Sequence, residues 1–148
     1  MDYNSLFQKI DSSSAGFSQH YATLLGIVRG MRPARVLEFG SGLSSVVLAE
    51  TLQSTGGTFI TLDMRNIEDT GNTATDLTRY EHVWKYVQGN SLETVKKLPD
   101  EGFDLVLHDG SHEWKTVLRD IRAILPKIKQ DGILLTHDTL HPKLGRRM

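Results

Sequence analysis

Apolar and polar positions follow two alternating periods along this chain. In SQHYATLLGIVRGM, Tyr21, Leu24, Leu25 and Val28 recur at helical spacing, and Pro33 marks the exit. RVLEFG then reads as a short buried strand. SSVVLAETLQ reads as a helix with Ser44 or Ser45 as its N-cap, broken by Gly56-Gly57, and TFITLD as the second strand. The polar segment MRNIEDTGNTATDLTRYE carries at most a short helix near its end. HVWKYVQG alternates as a third strand, and SLETVKKL is a helix that begins at Ser91 and Thr94 and is limited by Pro99. FDLVLHDG is continuously apolar, as buried parallel strands are. HEWKTVLRDIRAILPKI is amphipathic, with Trp114, Val117, Leu118, Ile121 and Leu125 on one side. A turn at Asp131-Gly132 leads into the fifth strand, ILLTHD.

Strands alternating with helices predict one α/β domain over residues 1–148. Its core is a Rossmann-like, doubly wound parallel sheet of about five strands in the order 3-2-1-4-5. In such sheets a ligand sits beyond the carboxyl ends of the strands. Those ends read EFGSG, LDM, QGNS, LHDGSH and THDT: four hold an acid and the other holds Asn90 and Ser91. Each cluster taken singly is ordinary turn chemistry. Their recurrence along one predicted rim is what points to a site.

The first cluster matches G-x-G, with Ser45 where the dinucleotide fingerprint has its third glycine. Asp63 ends the next strand, where an acid can accept hydrogen bonds from both hydroxyls of a ribose. To that point NAD and S-adenosylmethionine fit equally. Glu38 separates them: a carboxylate at the glycine turn would repel a pyrophosphate but attract a sulfonium and an ammonium group. The plain alternative is a surface acid or a helix-dipole partner.

Composition narrows the class further. With 17 Lys plus Arg against 18 Asp plus Glu, the net charge of -1 gives no reason to expect a nucleic-acid or anionic-membrane partner, and the basic KLGRRM reads as a solvated tail. No cysteine is present, which removes disulfides and thiolate metal sites. No apolar run approaches a membrane span and the N-terminal residues lack a secretory apolar core, so a cytoplasmic protein is expected.

EFGSGLSS, with Asp63 after the second strand and GNS after the third, resembles the class I S-adenosylmethionine-dependent methyltransferases. LHDGSHEWKTVLRDI and GILLTHDT are most similar to the small-molecule O-methyltransferases that include macrocin O-methyltransferases and cephalosporin hydroxylase-like proteins. The resemblance covers about residues 18 to 140. It implies that Glu38, Gly40 and Gly42, with Ser41 and Ser44, surround the methionine part of the cofactor. Asp63 would take the ribose, Asn90 and Ser91 would lie beside the adenine, and Asp109 would close the site. It also implies a divalent cation such as magnesium at Asp109 and Asp138. His137 stands where some relatives have a carboxylate, and nitrogen suits magnesium less well than oxygen. If the fifth strand runs to Asp138, His137 points away from the ion; if it ends one residue earlier, the turn brings it in.

His112 follows Asp109 by three residues and reads either as the base that removes a substrate hydroxyl proton or as a cap of the helix near Glu113. His108, within the strand, reads as structural. Trp114 either flanks the adenine or belongs to the core. His20, His82 and His141 have no motif around them. Against the family, the chain lacks the usual C-terminal antiparallel strand pair, and the uncovered edge predicts a homodimer. The expected function is O-methylation of a small-molecule hydroxyl, with Asp109 and His112 catalytic. The alternatives are a cofactor-binding domain without catalysis and, disfavoured by Glu38, a nicotinamide-dependent oxidoreductase.

Overall fold

A computed structural model describes residues 3–12, 20–70, 77–98 and 102–138. Its strands are β1 (Arg35–Phe39), β2 (Thr58–Asp63), β3 (Trp84–Gln88), β4 (Phe103–His108) and β5 (Ile128–Thr136). Its helices are α1 (Tyr3–Ser12), α2 (Tyr21–Met31), α3 (Leu43–Thr55), α4 (Ser91–Lys97) and α5 (Trp114–Ile124), with short 3-10 turns at Ile67–Thr70, Thr78–Tyr80 and Leu125–Lys127. The strands are all parallel, in the order β3-β2-β1-β4-β5, as the alternation predicts. Among the described residues no helix is long and apolar enough to cross a membrane. The basic tail, His141, Pro99 and residues 71–76 of the long polar segment lie outside the described residues.

Two apolar layers sandwich the sheet. One joins Leu6 and Ile10 of α1, Leu24 and Val28 of α2 and Val46 to Leu52 of α3 to the side chains of Val36, Phe59, Leu105 and Leu107. The other joins Leu37, Phe39, Leu62, Phe103 and Val106 to Val95 of α4 and Ile124 of α5. Leu24, Leu37, Leu48, Leu52, Leu62 and Leu105 are fully buried, and each contributes roughly 1.5–3 kcal/mol of burial energy. The registers Phe39↔Leu62, Phe39↔His108 and His108↔Thr136 bring the strand ends to one level. That alignment makes the rim.

In four places the structure differs from the elements the pattern predicts. Helix α1 has no counterpart in the pattern reading, because its sequence is largely polar, although its Leu6 and Ile10 join the core. Gly42, not Ser44 or Ser45, is the N-cap of α3; Ser45 sits at the third helical position and its Oγ accepts from the Gly42 N–H at 3.2 Å. The supposed turn at Asp131-Gly132 lies inside β5, as an irregularity across which the pairing jumps from Phe103↔Ile128 to Leu105↔Ile133. On α5 the buried positions are Val117, Asp120 and Ile124, while Leu125 is 52% exposed and Trp114 stays half-buried outside both apolar layers.

Candidate active site

The glycine turn is built by close packing. Gly40 has φ +83, and a Cβ there would stand 2.5 Å from the Asp109 carbonyl oxygen and 2.7 Å from Gly110 Cα. Its N–H donates to Leu62 O at 2.8 Å, tying β1 to β2. Gly42 differs: its backbone is extended and a Cβ would meet nothing within 4 Å. Gly40→Ala should therefore cost roughly 2–4 kcal/mol, from left-handed strain and backbone overlap. Gly42→Ala should stay within about 1 kcal/mol. Urea unfolding of both variants checks the contrast, and equal losses would refute it.

Below the turn lies Glu38. It is fully buried, and both carboxylate oxygens are taken: Ser44 Oγ donates to Oε1 at 2.7 Å, while Ser45 Oγ and Thr61 Oγ1 each donate to Oε2 at 2.6 Å. The Gly42 N–H donates to Ser45 Oγ and Trp84 Nε1–H donates to Thr61 Oγ1, at 2.9 Å for the latter. Those two hydroxyls therefore spend their acceptor capacity on N–H groups and turn their protons to Glu38. Burial pushes the Glu38 carboxyl up to about 7, against the three hydroxyl bonds that favour the charge. The carboxylate expected at the lip of the turn lies under it instead, because Glu38 shares a strand face with Val36 and points toward α3.

Two adjoining cavities open above the turn. The larger, of about 600 Å³, is lined by Gly40, Ser41, Asp63, Asn90, Ser91 and Asp109, among others. The smaller, of about 280 Å³, holds Gly42, Ser44, Tyr21, His137 and Asp138; Gly40, Ser41, Asp109 and His112 line both. Glu38 lines neither. At the wall of the larger cavity, Asp63 accepts at Oδ2 from Ser41 N (2.8 Å), Ser41 Oγ (3.0 Å) and Arg65 Nη2 (2.7 Å), and at Oδ1 from Arg65 N (2.9 Å) and Nε (3.1 Å). Burial alone would raise its carboxyl, but these bonds outweigh it and hold the group at about 2. Asn90 caps α4, accepting from Leu92 N and Glu93 N, and Ser91 Oγ donates to Asp120 at 2.7 Å. Asp120 is buried and also meets His108 Nε2 at 3.1 Å; His108 stacks on Phe39 at 4.8 Å between centroids. His108 is structural, as read from its strand position.

At the smaller cavity β5 ends at Thr136, and Asp138 has φ +58. The turn brings both following side chains to Asp109. His137 Nδ1 lies 3.1 Å from Asp109 Oδ1 and 3.3 Å from Asp138 Oδ1. His112 Nδ1 lies 2.6 Å from Asp138 Oδ2. The cap of α5 is Glu113, so His112 is not capping. Burial raises the Asp109 carboxyl, opposed by the two imidazoles. Burial, and then the Asp109 and Glu38 carboxyls, push the Tyr21 phenol up to about 12. Tyr21 and Arg65 are site residues the pattern reading misses. Tyr21 sits in a helical apolar series, and Arg65 lies in a loop without a period. His20 also stands here, its ring 5.7 Å from that of His137.

Magnesium fits this arrangement poorly. It demands near-octahedral oxygen ligands and keeps several waters. Here a ring nitrogen faces both carboxylates, and among the described residues no group of three or more acidic or histidine side chains is placed to hold a metal ion.

With the geometry in place, the chain can be set against known proteins. No curated protein matches it significantly. Its fold is similar to the SAH-bound methyltransferase PaMTH1 of Podospora anserina, with a TM-score of 0.75 and 19% identity over 93% of this chain and 63% of that one. It is similar to an O-methyltransferase from Bacillus cereus in complex with SAH, with a TM-score of 0.71 and 18% identity over 97% and 69% of the two chains. The third is the MycE methyltransferase of the mycinamycin biosynthetic pathway in complex with Mg, SAH and mycinamycin VI, with a TM-score of 0.63 and 20% identity over 95% and 38%. The chain thus spans less than two thirds of the first of these proteins. Residues 37–139, from the middle of β1 to just past Asp138, match the family described as a methyltransferase domain, and the chain belongs to that family.

Proposed function

We propose that the chain binds S-adenosylmethionine in the larger cavity and methylates a hydroxyl of a small molecule held in the smaller one. The observation that carries this reading is the His112–Asp138 contact of 2.6 Å in the smaller cavity, with His112 at the wall common to both. When bound, S-adenosylmethionine supplies a methyl group on a cationic sulfur, which leaves as a neutral thioether. Asp138 accepts from His112 Nδ1–H, which fixes the tautomer and leaves Nε2 with a lone pair for the hydroxyl proton. The cavity walls hold the acceptor oxygen in line, which supplies much of the rate. The SAH carried by PaMTH1, the Bacillus cereus enzyme and MycE supports the choice of cofactor.

Asp63 would receive the ribose hydroxyls. Its oxygens are covered by Arg65, whose side chain is 51% exposed and can yield them. Asp63→Ala should weaken SAH binding by roughly 1.5–3 kcal/mol through lost charge-assisted hydrogen bonds. Calorimetry with SAH and NAD tests this directly. Unchanged SAH affinity in Asp63→Ala would remove Asp63 from the ribose site, and NAD binding in place of SAH would restore the oxidoreductase. SAH binding without methyl transfer to any of a panel of phenols and sugars would leave a cofactor-binding domain.

We also propose self-association through the outer edge of β5, where Ile133 is 37% exposed among the described residues. Sedimentation should show a dimer at high concentration; a strictly monomeric mass would count against it.

A further inference from the structure

Asp109 and Asp138 have side chains 22% and 24% exposed, and two carboxylates converging on one rim repel each other unless something positive or hydrogen-bearing lies between them. In this chain the intervening group is His137. Its side chain is 14% exposed, and its backbone N–H donates to His108 O at 3.0 Å, which anchors the residue to the end of β4. Nδ1 stands 3.1 Å from one carboxylate and 3.3 Å from the other. An imidazole wedged between the two carboxylates takes up the space in which a cation and its bound waters would have to sit.

We infer that His137 occupies the place of a divalent cation: its ring separates the Asp109–Asp138 pair, and the acceptor site works without magnesium. His137 is then a positioning residue. It holds Asp138 against Asp109 while Asp138 orients His112. The inference concerns the proposed acceptor site and rests on that reading only for its catalytic meaning. Its second consequence is chemical. With the imidazole replaced by a carboxylate, the rim would present three oxygen-donating side chains, Asp109, Asp138 and the new one, which is a donor set of the kind magnesium prefers.

Thermal unfolding and calorimetry with magnesium chloride test both halves without any activity measurement. The parent protein should show no magnesium heat and no change in Tm, and EDTA should leave its Tm unchanged. His137→Asp should gain about 3–6 °C in Tm at ten times the dissociation constant, and the further substitution Asp109→Asn should abolish the gain. A magnesium response in the parent that Asp109→Asn removes would overturn the inference even if His137→Asp fails to fold. A folded His137→Asp, or His137→Glu, that ignores magnesium would also overturn it. SAH binding is measured separately, so loss of the cofactor reading and loss of this one cannot be confused.

Discussion

Glu38→Ala is expected to destabilise the protein by about 3–5 kcal/mol, while Glu38→Gln costs only about 1 kcal/mol. The alanine leaves the Ser44, Ser45 and Thr61 hydroxyls without their acceptor inside the sheet–helix layer, and each stranded buried group costs about 1–3 kcal/mol. Glutamine can keep its oxygen where Oε2 receives two hydroxyls. Its amide then faces Ser44, which can rotate to accept, since its hydroxyl is not pinned by an N–H in the way those of Ser45 and Thr61 are. Protonated Glu38 has the same solution, with its proton on Oε1. The folded chain holds that proton up to about pH 7, whereas the unfolded chain releases it near 4.5. Stability from this group is therefore fully present below pH 4.5 and is lost as pH rises to 7. The loss is on the order of 3 kcal/mol at most. Urea unfolding between pH 5 and 8 should show this decline in the parent and not in Glu38→Gln. A parent curve parallel to that of the glutamine variant would mean that Glu38 ionises normally despite its burial.

Much of this was legible because buried parallel strands are short, apolar and bounded by turn residues: TFITLD coincides with β2 residue for residue. The rim followed from strand order, which aligns Asp63, Asp109 and the His137–Asp138 pair without any knowledge of side-chain direction. Direction is where pattern reading stopped short. Period-two alternation places Glu38 with Val36 on the α3 face, whereas its position beside glycines suggests a place at the ligand. On α5 an apolar stripe looked like the core face, yet Asp120 is buried because His108 and Ser91, from other elements, meet it there. That partnership spans 12 and 29 residues and leaves no local signature. Whether His137 faces the site depended on where β5 stops: it ends at Thr136, and two residues later Asp138 already has a positive φ. An aspartate is among the few residues that adopt that conformation readily, but nothing in THDT says that it must.

His112→Ala is expected to lower the rate constant for methyl transfer by about 10²–10⁴-fold, the range for loss of a positioned base. SAH affinity should change by no more than a few fold, because the residue enters the larger cavity only at the wall it shares with the smaller one. Asp138→Asn tests the other half of the pair. An amide can still meet His112 Nδ1, but through its NH2 it would stabilise the opposite tautomer and place the hydrogen on Nε2, where the substrate proton must go. The asparagine variant should therefore lose rate by at least tenfold with the acceptor KM nearly unchanged, although its shape and volume are those of the aspartate. Single-turnover measurements with saturating cofactor separate the two quantities. If His112 only shapes the cavity, its removal will raise the acceptor KM and spare the rate, and Asp138→Asn will be almost silent. If both substitutions slow the chemical step and neither disturbs SAH, the proton leaves through His112.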